Sequence, residues 1–178
     1  TIEERVFVDA QTGNVIYSLP LTSNCEPSVN FSSIFNGTQS VSTDKFTSDD
    51  FRLRDDCISA EVYVRDWGSA TSTASPTEIQ NTTNTWTTQN ERFGASVLWE
   101  RKQAHAYFKN VHGRDSYDDA NGDVNAYINA VFSSSSGDYT DNASMSFSGG
   151  TMKVGLGSSG TLANSWSSVD IIGHEYAH

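Results

Sequence analysis

Long apolar runs and basic residues are both scarce in this sequence, and each shortage excludes a class of function. No segment approaches the ~18 consecutive apolar residues that a membrane-spanning helix needs. Only 11 Lys and Arg residues stand against 22 Asp and Glu residues, which leaves a formal net charge of -11. A surface that negative repels nucleic-acid phosphates and anionic lipid heads, so we expect no nucleic-acid partner and no membrane partner.

Cysteine is equally scarce, since Cys25 and Cys57 are the only two in the sequence. They lie too far apart for the compact CxxC motif of metal and redox sites. An even count in a chain rich in Ser, Thr, Gly and Asn suits one disulfide in an oxidising compartment, and the alternative is two unpaired thiols. No basic segment followed by an apolar one is visible at Thr1, so for a secreted protein we expect the targeting segment to have been removed.

Short alternating runs predict that the first part of the chain is mostly antiparallel β-structure. A hairpin is expected at residues 5–19, and further strands at residues 39–43, 51–53 and 60–64. A long helix is predicted from about residue 92 to 110, because apolar residues recur on one face at helical spacing. Arg101 is the charged exception on that face, and Gly113 is expected to end the helix. A strand at residues 125–132 follows.

A second helix, predicted to begin near Ser168, carries the strongest chemical motif. Its last five residues are HEYAH, with His174 and His178 one helical turn apart. Both imidazoles therefore project from one face and can reach a single Zn²⁺ at ~2.0–2.1 Å. Glu175 lies beside them, where a carboxylate takes a proton from a zinc-bound water. The motif predicts a zinc hydrolase, and the alternative is a core helix with satisfied histidines.

The residues before this motif supply the helical context that it requires. Ser167 or Ser168 is expected to cap the helix, and Asp170 places negative charge in the first turn, where the helix dipole favours it. Apolar residues at 169, 171, 172 and 176 predict that the helix is largely buried.

Three segments together resemble the thermolysin-like zinc metallopeptidases. Residues 170–178, DIIGHEYAH, are similar to the active-site helix of that family. Residues 109–118 resemble the segment after its first long helix, and residues 142–152 resemble the edge-strand hairpin before the zinc helix. The resemblance implies an α+β fold: a thermolysin-like N-terminal domain of mostly antiparallel β-sheet, with one long helix and the start of the central zinc-binding helix.

The resemblance also implies a role for each matching residue. His174 and His178 are expected as zinc ligands and Glu175 as the catalytic base of a zinc-dependent endopeptidase. Asn142 and Ala143 are expected to bind the backbone of a peptide or protein substrate, which adds to the sheet as a strand. The family carries an aromatic residue where this chain has Met145, and Leu156 interrupts a Gly-Asp-Gly-like turn, so the details of the substrate pocket are expected to differ.

Asp170 matches a family calcium ligand, so Ca²⁺ is expected as a second cofactor besides Zn²⁺. As an Asp in a first helical turn, the residue also has a plain capping explanation. The third zinc ligand of the family, a Glu beyond the second His, is expected from the C-terminal half of the same enzyme, which would be a partner of these residues.

The resemblance divides the chain at about residue 30. Residues 1–30 are expected to be the tail of a propeptide and its junction, since residues 6–15 resemble the last propeptide strands of such zymogens; an ordinary β-hairpin is the alternative. Residues 31–178 are expected to be the N-terminal β-rich part of the peptidase catalytic domain, truncated within the zinc helix. Two other functions stay open: a catalytically incomplete folding or binding unit that needs a second polypeptide, and a non-catalytic peptide binder.

Overall fold

The structure, a computed structural model, describes residues 4–8, 12, 15–20, 28–47, 49–58, 60–146 and 148–178. These residues form helices α1 (Gln89–His112) and α2 (Val169–Ala177) and a single 3-10 turn (Leu162–Asn164). The strands are short: β1 (Glu4–Val8), β2 (Val15–Pro20), β3 (Val29–Ser32), β4 (Thr38–Val41), β5 (Asp44–Thr47), β6 (Asp50–Arg52), β7 (Arg54–Asp55), β8 (Val62–Asp66), β9 (Thr77–Glu78), β10 (Gln80–Asn81), β11 (Val124–Ile128), β12 (Phe132–Ser134), β13 (Gly137–Tyr139), β14 (Ala143–Ser146) and β15 (Thr151–Val154).

The main sheet has the strand order β14-β15-β11-β8-β7, with β9 also paired to β8. Its outer pairs are antiparallel, whereas β11 runs parallel to both β8 and β15. Helix α1 lies between β8 and β11 in the chain and packs on both strands. A strand that returns through a helix on one face of the sheet arrives in parallel, which explains why the centre of the main sheet is parallel within a mostly antiparallel fold.

The remaining strands form small antiparallel units: the pairs β1–β2, β3–β4 and β12–β13, and the three-stranded sheet β10-β6-β5. The expected α+β fold with mostly antiparallel sheet is therefore confirmed. The strand predicted at residues 125–132 is wrong in extent, because Asn129 takes a left-handed φ of 54° and separates β11 from β12.

Helix α1 begins three residues earlier than predicted because of a capping box. The Thr88 side chain accepts from the backbone N–H of Glu91, and the Glu91 carboxylate accepts from the backbone N–H of Thr88 in return. The predicted stop is confirmed: Gly113 takes a φ of 71°, and its N–H donates to the carbonyl of Lys109 at 3.1 Å. From Phe93 to Arg101, every residue of α1 except Trp99 is buried, which ties the helix firmly to the sheet.

Helix α2 packs against α1 and against the edge strand β14. Ile172 and Tyr176 are fully buried on this face. Ser168 occupies the N-cap position, but its side chain makes no capping hydrogen bond, so the expectation of a serine side-chain cap is corrected. The backbone carbonyl of Ser168 accepts from Ile172 N–H at 2.9 Å. In place of a side-chain cap, burial of the apolar face stabilises the helix.

Candidate active site

The two histidines of the HEYAH motif lie side by side at the end of α2. Their Nε2 atoms are 3.0 Å apart, and the ring centroids are separated by 4.5 Å at an angle of 86°. Two nitrogen ligands at ~2.0–2.1 Å from a tetrahedral zinc are about 3.4 Å apart, so a small ring rotation lets His174 and His178 share one ion. Both side chains are exposed.

Zinc sites use at least three protein ligands, and this pair supplies two. Across the described residues, no group of three or more His, Cys, Asp or Glu side chains is arranged to hold a metal ion. The donor set therefore fits part of a zinc site.

Glu175 lies beside the histidines at the rim of an open depression of about 380 Å³. Trp166, Asp170, Ile171 and His174 form the rest of its wall. Within the described ranges the Glu175 carboxylate makes no hydrogen bond or ion pair. A half-buried carboxylate without a structural partner is available to water in the depression.

The residues predicted to bind substrate lie at the edge of the main sheet. Ala143 is the first residue of β14, the terminal strand, which pairs on one side with β15. The carbonyl of Asn142 accepts from Gly155 N–H at 2.9 Å, which holds the start of this edge strand in place. Because α2 packs against β14, the histidine pair and the sheet edge belong to one region of the molecule.

Asp170 is exposed in the first turn of α2. A hydrogen bond from the Ser168 hydroxyl, together with backbone N–H groups at the helix N-terminus, lowers the pKa of this carboxyl. The negative charge is thus favoured by the helix dipole without a metal. Its expected role as a calcium ligand stays a prediction.

Tyr176, which stands between the two histidines in sequence, connects the motif to α1. Its side chain is fully buried, and its hydroxyl lies 3.0 Å from Nδ1 of His105. The guanidinium of Arg101 lies over its ring at 5.1 Å from the centroid, and the Phe108 ring packs at 5.6 Å. Sequence reasoning missed His105, since nothing local connects positions 105 and 176.

Arg114 holds the end of α2 from the loop after α1. Its Nη2 donates to the carbonyl of Tyr176 at 2.8 Å, and its Nη1 donates to the carbonyl of Ala177 at 2.9 Å. The same guanidinium donates to the carbonyls of Ser116 and Tyr117 at 3.1 and 3.2 Å. One side chain therefore fastens its own loop to the helix that carries the histidines.

The predicted cysteine pair is only partly described. Cys57 follows the short strand β7, and its backbone N–H donates to Oδ1 of Asp55 at 2.9 Å. No described cysteine is a free thiol. Cys25 lies outside the described residues, so the disulfide between the two stays a prediction.

Comparison with known protein families agrees with this geometry. The family model described as thermolysin metallopeptidase, catalytic domain, matches residues 31–178. That range contains the main sheet, both helices and the HEYAH motif. The chain therefore belongs to the thermolysin metallopeptidase family, a family of zinc-dependent peptidases, and the resemblance seen in the sequence is confirmed.

None of the described helices is long and apolar enough to cross a membrane.

Proposed function

We propose that this member of the thermolysin metallopeptidase family is a zinc-dependent endopeptidase, with His174 and His178 as metal ligands and Glu175 as general base. The observation that carries the proposal is the 3.0 Å separation of the two Nε2 atoms on one face of α2. Glu175, which has no hydrogen-bond or ion-pair partner among the described residues, lines the same depression as His174.

Each residue has a distinct part in the proposed hydrolysis. A zinc ion held by His174 and His178 would supply Lewis-acid chemistry for the scissile carbonyl and the attacking water. Glu175 accepts the proton of that water and later passes it to the leaving amine. His174 and His178 would hold the metal ion through their ring nitrogens.

The edge strand β14 is the proposed binding surface for the peptide substrate. A peptide laid antiparallel or parallel to an exposed edge satisfies backbone N–H and C=O groups that β15 does not pair. Asn142 and Ala143 stand at the start of this edge. The edge strand β14 packs against α2, the helix that carries Glu175, which supports a peptide site close to the proposed base.

Several further expectations belong to the same proposal. We expect the third zinc ligand from a C-terminal half of the enzyme, and Asp170 as a ligand of a bound Ca²⁺. We also expect secretion as a zymogen, with residues 1–30 as propeptide tail and junction, and a disulfide between Cys25 and Cys57.

A second candidate is a catalytically incomplete unit that needs another polypeptide for its third ligand. The observation that favours it is the absence, among the described residues, of a three-ligand metal group. Zinc titration against a chromophoric chelator tests the second candidate: tight stoichiometric binding by this chain, lost in His174→Ala, contradicts it.

The test of the first candidate is the variant Glu175→Gln in the zinc-loaded protein. Hydrolysis of an internally quenched peptide is expected to fall at least ~100-fold, since the general base is removed. Zinc content should stay at the wild-type value, because Glu175 is not a ligand. Glu78→Gln is the control, since Glu78 pairs with Arg65 at the sheet edge and lies outside the proposed site. Full activity in Glu175→Gln contradicts the assigned role.

A further inference from the structure

We infer that the hydrogen bond between Tyr176 and His105 positions the zinc-binding histidines, so that both are positioning residues of the site. The inference rests on the proposed function, because it assigns His174 and His178 as the groups that are positioned. The juxtaposition that carries it is the 3.0 Å contact between the buried hydroxyl on α2 and Nδ1 on α1.

The position of Tyr176 on α2 determines which side chains its contact with His105 can orient. His174 and His178 lie two residues before and two residues after it, which at about 100° per residue puts each ~200° away around the helix. The two imidazoles thus project from the face opposite the tyrosine. A tyrosine fixed in the core therefore sets the rotation of α2 at which both histidines project from the exposed face, with His174 in the wall of the depression.

The hydroxyl can be satisfied only by groups within the protein. Tyr176 is fully buried and His105 is only 6% exposed, so water does not replace the contact. Asp115 Oδ1 lies 3.8 Å from Nε2 of His105, and a carboxylate there favours the tautomer with its proton on Nε2. Nδ1 is then the acceptor, and the Tyr176 hydroxyl donates to it.

The tyrosine ring is held separately from its hydroxyl. Guanidinium groups of Arg101 and Arg114 lie 5.1 and 5.4 Å from its centroid, and Phe108 packs at 5.6 Å. These contacts keep the ring between α1 and the loop after it. They survive when only the hydroxyl is removed, so a phenylalanine at this position removes the hydrogen bonds of the hydroxyl, to His105 and to the Ser116 side chain, and leaves the ring contacts in place.

The test compares Tyr176→Phe with Tyr107→Phe in the protein with its zinc restored. Tyr107 lies on the same helix as His105 but is 55% exposed, so the same chemical change there is a matched control. The zinc dissociation constant, measured by chelator competition, is expected to rise about three- to tenfold in Tyr176→Phe, the change that corresponds to one buried hydrogen bond. In peptide hydrolysis kcat should fall with KM nearly unchanged.

A double-mutant cycle with His105→Leu separates positioning from general stability. If the hydrogen bond acts on the site, the double variant binds zinc no more weakly than the worse single variant. His105→Gln, whose side-chain carbonyl can accept from the hydroxyl, should restore part of the affinity. Additive losses, or a lower melting temperature with wild-type zinc affinity, overturn the inference. Failure of the wild-type protein to bind zinc through His174 and His178 would instead contradict the proposed function.

Discussion

The side-chain amide of Asn36 donates to Oε1 of Glu100 at 3.3 Å, which ties the turn between β3 and β4 to the buried face of α1. Glu100 is fully buried, and its second oxygen has no hydrogen-bond partner within the described structure. Burial first, and then the negative charge of Asp170, raise the pKa of Glu100 to about 9. Its carboxyl group is therefore protonated at neutral pH.

Glu100→Gln is expected to stabilise the protein at and above neutral pH. The folded-state pKa is raised, so the stability associated with this group is complete below pH 4.5 and is lost as the pH rises toward 9. Each pH unit in that window costs about 1.4 kcal/mol at most. Glutamine keeps an oxygen for Asn36 and cannot ionise, so urea unfolding should show a gain that grows from pH 5 to pH 9.

Glu78→Gln serves as the control, because Glu78 lies at the sheet edge in an ion pair with Arg65 at 2.7 Å. Its unfolding free energy should differ from wild type by a constant amount over the same range. A pH-independent difference for Glu100→Gln would show that the carboxyl is ionised in the folded protein.

For His105 we expect the opposite pH dependence of the unfolding free energy. Burial first, and then the positive charge of Arg101, lower its pKa to about 4 from 6.5. Its contribution to stability is therefore complete above pH 6.5 and is lost as the pH falls toward 4. Since glutamine does not titrate, the advantage of wild type over His105→Gln should shrink across this window in urea unfolding. A constant difference between the two proteins would contradict the neutral, buried imidazole.

Arg114→Lys is expected to lower the free energy of unfolding by about 1–3 kcal/mol, because an ammonium group cannot reach four carbonyls in the fork geometry of a guanidinium. Chemical denaturation measures the loss. Arg92→Lys is the matched control, since Arg92 makes a single such bond, from Nε to the carbonyl of Ser32 at 3.0 Å. Equal losses in the two variants would contradict a special role of Arg114 at the end of α2.

Gly155→Ala is expected to destabilise the protein by about 1–3 kcal/mol or more, because its Cβ has no room. An added Cβ would lie 1.9 Å from the backbone carbonyl oxygen of Thr140, next to the edge strand β14. Gly173→Ala is a control of opposite sign: nothing lies within 4 Å of its Cβ, and alanine in a helix gains about 0.5–1 kcal/mol. Thermal unfolding of both variants tests the pair, and a neutral Gly155→Ala would contradict the close approach.

Much of the site was predictable because its pattern is local. Two histidines four residues apart must share a face of any helix, and Gly113 must end α1 because it readily adopts the left-handed φ of 71°. The start of α1 was equally local: Thr88 and Glu91 are a capping-box pattern that hydrophobic periodicity alone does not reveal. Arg101 was also noticeable in the sequence, because it places a charge on the otherwise apolar face of the first helix.

The sequence by itself determined the family, the HEYAH motif and the mostly antiparallel fold, since each is carried by residues close together in the chain. Only the tertiary structure decided that β11 lies parallel between β8 and β15, that Glu100 is buried, and that Tyr176 meets His105. The physical reason is that burial and hydrogen bonding depend on which distant segments cover a residue. Positions 105 and 176 are separated by 71 residues, and only packing of α1 against α2 brings them together.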